Sequence, residues 1–217
     1  MQMDVAREQM IEQQVRAADV LDEHILETLR IVPREQFVPP AWRELAFADC
    51  EIPLPLGKRM LRPMLVGRVL QALAVRPGEE VLEIGTGSGY LTACLGRLAG
   101  RVRSLELHPT LAQFARGNLK AGASGLPLEV IEADGMQLTD ESRYDVILIT
   151  AALPVYQPRF ERALRTGGRL FVAVGNETLQ QGRLVRRAGE RDWVTRVLFE
   201  TCIEALEHAP RPAAFGF

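Results

Sequence analysis

The chain has 217 residues, with 26 lysines and arginines against 28 aspartates and glutamates, a net charge of −2 and 47% hydrophobic content. These are globular values, and at this size roughly 70% of the unfolded surface can be buried. A disordered chain is excluded, as is a protein whose hold on nucleic acid or an anionic membrane comes from bulk positive charge.

The mixed-charge start MQMDVAREQMIEQQVRAADV and the lack of any apolar run near the ~20 residues of a membrane span predict a cytoplasmic protein with no membrane partner. Helix-type spacing covers 4–16 and 22–31, with Asp22 as the cap of the second helix and Ile25, Leu26 and Leu29 on its apolar face. Pro33, Pro39 and Pro40 interrupt the pattern, and 52–63 (IPLPLGKRMLRP) reads as an extended loop. Pro63 is placed to open a helix through Ala74 with Leu65, Val69 and Leu73 inward.

From Glu80 the texture changes to short apolar strands at 81–84, 102–107, 128–131, 144–150 and 168–174, alternating with helices from near Gly89, from Pro109 and over 157–164. This β-α repeat with nearly continuous apolar strands predicts an α/β fold, a doubly wound, mostly parallel sheet covered on both faces. Strand-like segments at 183–187 and 194–203 predict an antiparallel pair at one edge. The expected organisation is a helical cap and loop over 1–75, a main domain over 76–205 and an arm over 206–217. Cys50, Cys94 and Cys202 lack a C-x-x-C or a histidine at ligand spacing and read as reduced, packed thiols, with no metal site. His24, His108 and His208 are expected at the surface or in packing.

The run Val81-Leu82-Glu83-Ile84-Gly85-Thr86-Gly87-Ser88-Gly89-Tyr90 carries the chemistry. An apolar strand ends in E-x-G, and glycines at 85, 87 and 89 allow close backbone approach to a ligand where strands end and a helix begins. The third glycine of a G-x-G-x-x-G fingerprint would fall on Tyr90, which weakens a pyrophosphate reading. Glu106, 17 residues past Gly89 at the end of the second strand, suits the two hydroxyls of a ribose, with Leu107 beside it. Asp134-Gly135 follows the third strand, where a carboxylate can accept from an exocyclic amine.

These residues resemble the class I methyltransferases that use S-adenosyl-L-methionine, with EIGTGSG as first motif, Glu106 as ribose acid and Asp134 beside adenine. More narrowly, VPREQFVPPAW, FADCEIPLPLG, VLEIGTGSGYLTA and YDVILITAALP resemble the protein-L-isoaspartate (D-aspartate) O-methyltransferase family over roughly residues 10 to 203. The resemblance implies the class I methyltransferase fold with an N-terminal helical cap. It also implies methyl transfer to the α-carboxylate of isoaspartyl residues in damaged proteins, the ester then collapsing to a succinimide. Glu83, Gly85, Thr86, Gly87, Ser88, Gly89, Glu106, Leu107, Asp134 and Gly135 would then bind the cofactor.

The chain departs from that family in two places. Where the family's substrate loop reads G-Q-T-I-S-x-P, this chain has Gly57-Lys58-Arg59-Met60-Leu61-Arg62-Pro63, so the catalytic serine falls on Leu61 and cannot be carried over. Near the C-terminus LFETCIEAL replaces a phenylalanine-valine-proline-leucine type strand. Arg59 and Arg62 are the residues expected to pair with a carboxylate. The acceptor is then an isoaspartyl protein or peptide, or a small carboxylate substrate; the third reading is a cofactor-binding protein without turnover. A nucleic-acid acceptor is disfavoured because Thr150-Ala151-Ala152-Leu153-Pro154 stands where an N/D-P-P-Y/F motif would be.

Overall fold

A computed structural model describes residues 2–212, so the last part of the expected arm, 213–217, lies outside the described residues. Helix α1 (Gln2–Met10) runs on through a widened turn at Ile11–Val15 and a tighter one at Arg16–Ala18. This change of winding keeps Met10, Ile11 and Val15 buried. Helix α2 (Glu23–Ile31) begins as predicted: Asp22 accepts the His24 amide at 2.9 Å, and Ile25, Leu26 and Leu29 are buried. Pro63 opens α3 (Pro63–Leu73), with Leu65, Val69 and Leu73 inward. The expected loop before it contains a small hairpin, β1 (Ile52–Pro53) antiparallel to β2 (Arg59–Met60), whose tip uses positive φ at Leu56 and Gly57. Its two-residue strands are too short to leave a periodic signal.

The alternating part follows as β3 (Glu80–Ile84), α4 (Tyr90–Leu98), β4 (Arg101–Glu106), α5 (Pro109–Gly122), β5 (Leu128–Glu132), β6 (Tyr144–Leu153), α6 (Pro158–Arg162) and β7 (Leu164–Gly175). An antiparallel hairpin of β8 (Gln180–Gly189) and β9 (Asp192–Thr201) closes it. Among the described residues the main sheet has the order β5-β4-β3-β6-β7-β8-β9, parallel through β7 and antiparallel at the predicted edge pair. The strand order reverses between β3 and β6, and a crevice at the carboxyl ends of these strands is where such sheets hold ligands.

Period-2 alternation divides the core. Val81, Val146 and Leu148 join Met10, Leu26, Leu70 and Leu95 on one face, while Leu82, Ile84, Ile147 and Ile149 meet Phe160 and Ala163 on the other. Helix α6 is shorter than the expected 157–164 because Leu164 already pairs with Tyr144. Strand β7 correspondingly starts four residues before the expected 168, absorbing Gly167 (φ +84°) and Gly168 at a register shift. The glycines that look like a strand boundary form a bulge inside it. Cys94 is buried and Cys50 half-buried, but Cys202, expected to be packed, is exposed. Among the described residues no helix is long and apolar enough to cross a membrane.

Candidate functional site

The glycine loop leaves β3 with the Gly85 amide donating to the Leu105 carbonyl at 2.9 Å. Gly85, Gly87 and Gly89 have φ of +95°, +55° and +83°, all in the left-handed region. Gly85 is also sterically required: a Cβ would lie 2.2 Å from Thr150 Oγ1, the hydroxyl that bridges to the carbonyls of Ile84 (3.0 Å) and Gly85 (2.8 Å). Gly85, Thr86, Gly87 and Ser88 line a cavity at the strand ends. Gly89, expected to contact the cofactor, instead turns the chain into α4 and packs against Ala115 and Leu119.

Glu106, Leu107, Asp134 and Gly135 line the same cavity. Glu106 is nearly buried; its Oε2 accepts the Gly87 amide at 2.9 Å and its Oε1 the His108 amide at 3.1 Å. Each oxygen retains a lone pair, so a two-hydroxyl ligand remains compatible with these bonds. Asp134 Oδ1 caps the Met136 amide at 2.8 Å, and Oδ2 meets His208 Nδ1 at 2.9 Å. Gly135 packs so closely on Ile84 that a Cβ would come within 2.4 Å of its Cγ2.

Glu83 is a correction. Alternation along β3 turns it to the α4 side, fully buried and away from the cavity. Its Oε2 accepts Thr92 Oγ1 at 2.5 Å and Ser104 Oγ at 2.6 Å, and Thr86 Oγ1 bonds Ser104 Oγ at 2.6 Å, so Glu83 braces the glycine loop from behind. Its Oε1 has no partner, and burial pushes the carboxyl from its ordinary 4.5 up to about 7, with repulsion from Glu106 adding to the rise. The fold therefore binds this proton more tightly than the unfolded chain does. The associated stability is complete below about pH 4.5 and is lost as pH rises through about 7, by on the order of 3 kcal/mol. Urea midpoints between pH 5 and 9 are expected to fall for the wild type by more than for Glu83→Gln; parallel curves refute this assignment.

The opposite wall comes from the β1–β2 hairpin. Lys58, Arg59, Met60 and Leu61 line the cavity. Arg62 does not: it sits at the start of α3 outside the lining. Lys58 Nζ is held by Glu204 Oε1 at 2.5 Å and by Glu207 Oε1, and Arg59 is largely exposed with Glu51 3.7 Å away. Of the loop's cations, Lys58 is thus held by the protein's own carboxylates, while Arg59 stays largely exposed on the cavity wall.

Several residues that brace or border the cavity carry no motif signal. Arg34, inside VPREQFVP, is fully buried; Nε donates to the Ala46 carbonyl and Nη2 to the Leu61 carbonyl, both at 2.8 Å, and the guanidinium stacks 4.8 Å from the Tyr90 ring centre. It ties the 57–63 loop to the helix that follows the glycine loop, and an arginine set between prolines is the available hint. Ser104 was discoverable as a lone hydroxyl in an apolar strand. His108 and His208, expected in bland surface or packing roles, both meet carboxylates at the cavity rim, Glu207 and Asp134. Among the described residues no group of three or more His, Cys, Asp or Glu side chains is placed to hold a metal ion.

A family model described as protein-L-isoaspartate(D-aspartate) O-methyltransferase matches residues 5–204. A protein-L-isoaspartate O-methyltransferase of Koribacter versatilis is 39% identical over 187 residues, 85% of this chain and 83% of the relative. One of Methanoculleus marisnigri is 41% identical over 187 residues, 84% of each chain. A Plasmodium falciparum structure in complex with S-adenosyl-L-homocysteine, described as a beta-aspartate methyltransferase, superposes with a TM-score of 0.78 over 91% of this chain and 96% of its own, at 19% identity, and so speaks to the fold.

Proposed function

The chain belongs to the protein-L-isoaspartate(D-aspartate) O-methyltransferase family, and on that premise we propose that its acceptor is the α-carboxylate of isoaspartyl residues in proteins and peptides, methylated in the cavity between the glycine loop and the 57–63 hairpin. The fold is that of a class I methyltransferase, and the enzyme is an O-methyltransferase dependent on S-adenosyl-L-methionine. One observation carries the acceptor reading: Glu106 and Leu61, at the family's ribose-acid and serine positions, line one cavity.

The residues fit the cofactor. Glu106 offers a nearly buried two-oxygen acceptor, and positive-φ glycines leave the backbone bare beside it. In this reading Gly85–Ser88 and Leu107 lie along the cofactor, Glu106 takes the ribose hydroxyls and Asp134 the adenine end. S-Adenosyl-L-methionine supplies an electrophilic methyl group. An acceptor carboxylate is already ionised at neutral pH, so no side chain has to remove a proton, and the chain's contribution is alignment and exclusion of water. Residues 1–75 act as a cap over this cavity, and the unpaired thiols suit the cytoplasm.

Replacing the loop hydroxyls with Arg59 and Leu61 removes hydrogen bonds to a charged group worth about 1.5 to 3 kcal/mol each, or about ten- to a hundredfold in rate per bond. Transfer is therefore slow rather than absent. Lys58, paired twice, is not available to a small carboxylate, and Arg59 is the cavity-lining cation that would receive one. Labelled methyl transfer to a peptide carrying isoaspartate, compared with its aspartate isomer, tests the proposal. Alkali-labile label on the isoaspartyl form alone is expected; equal labelling of both isomers, or none despite cofactor binding, refutes it.

A further inference from the structure

The two stretches that depart from the family pattern meet in space, although Lys58 and Glu204 are 146 residues apart in sequence. Lys58 Nζ donates to Glu204 Oε1 at 2.5 Å and is also held by Glu207 Oε1, which meets His108 Nε2 at 2.8 Å. The backbone presenting the two acids is firmly anchored. The Gln180 side chain accepts the Ile203 amide and donates to the Ile203 carbonyl, both at 2.8 Å. The Ala152 amide donates to the Glu204 carbonyl and the Leu206 amide to the Ala152 carbonyl, again at 2.8 Å. Segment 203–206 is thereby fastened to the carboxyl end of β6 and to β8. The hairpin it reaches is slight, with two residue pairs between its strands and the Leu54 and Lys58 amides bonded within its own turn.

We propose that Glu204 and Glu207 are positioning residues for the acceptor hairpin, fixing through Lys58 the cavity wall that receives the isoaspartyl segment. The proposal rests on the acceptor reading above. A single exposed ion pair would do little. Here one ammonium is shared by two carboxylates on a rigid backbone, and charge-assisted bonds of this kind are short and directional. The bonds from Lys58 and His108 hold the Glu207 carboxyl down at about 2, so it stays ionised throughout the working range.

The test uses the full chain with S-adenosyl-L-homocysteine, in wild type, Lys58→Gln, Glu204→Gln with Glu207→Gln, and the reversed set Lys58→Glu with Glu204→Lys and Glu207→Lys. Hydrogen exchange at the Leu54 and Lys58 amides is expected to quicken about tenfold in the neutralised variants, with KM for isoaspartyl peptide up about tenfold, kcat and cofactor affinity within about twofold, and partial recovery in the reversed set. Unchanged exchange in the neutralised variants overturns the clamp. Faster exchange with an unchanged KM overturns the positioning role. Absence of transfer by every variant, wild type included, overturns the acceptor reading instead, and the exchange rates alone then decide the clamp.

Discussion

Calorimetric titration of Glu106→Ala with S-adenosyl-L-homocysteine is expected to give a dissociation constant about a hundredfold or more above wild type. The carboxylate is the cavity-lining group at the end of β4 with two acceptor oxygens, and each bond to a charged acceptor is worth about 1.5 to 3 kcal/mol. Losing two such bonds exceeds the ~2.7 kcal/mol that a hundredfold change requires. The same substitution frees the His108 amide and the Gly87 amide, the latter holding the glycine loop against β4, so the loop loses its shape as well as its partner. Glu106→Gln keeps one acceptor oxygen and is expected to fall between, near tenfold. Folding is much less affected, because the freed amides belong to residues that line the cavity rather than the apolar core. A change below threefold in Glu106→Ala contradicts the assignment.

Arg34→Ala is the substitution expected to damage the fold most. Three effects compete. Removing the side chain relieves the burial of a cation that has no carboxylate partner, a burial that also lowers its pKa from the usual arginine value. Against this, the Ala46 and Leu61 carbonyls lose their donor, at about 1 to 3 kcal/mol each. A hole opens beneath the Tyr90 ring, and truncations of large buried side chains typically cost about 2 to 5 kcal/mol. The losses win by roughly 3 kcal/mol, a large share of an ordinary domain's stability of about 5 to 15 kcal/mol. Arg34→Lys reaches one carbonyl but not both and should recover part of the loss. Urea unfolding decides the matter; an alanine variant within about 1 kcal/mol of wild type refutes the tether.

What the sequence makes legible here follows from strand chemistry. Short strands make their ends conspicuous, so Glu106 stands out as the acid that closes β4 and Asp134 as the one just past β5, and the 85-87-89 glycines mark the loop between β3 and α4. Both acids line the cavity. Glu83 belongs to the same motif but obeys a different rule: pleat alternation turns it away from the site, and Thr92 and Ser104, distant in sequence, receive it. Arg34 was opaque because its partners are backbone carbonyls, which every residue type supplies. Lys58 looked free because the acids that neutralise it arrive from the other end of the chain. The Gly167-Gly168 bulge likewise shows only once the β6 register is known.

In the proposed function the Lys58–Leu61 wall forms the acceptor side of the cofactor cavity, with Leu61 at the place of the family's serine. The most direct measurement is kcat/KM for an isoaspartyl peptide in wild type and Leu61→Ser, with cofactor affinity determined alongside. Restoring one hydroxyl should raise kcat/KM about ten- to a hundredfold and leave the dissociation constant for S-adenosyl-L-homocysteine within about twofold. An unchanged or lower kcat/KM in a folded Leu61→Ser enzyme with normal cofactor binding would contradict the account.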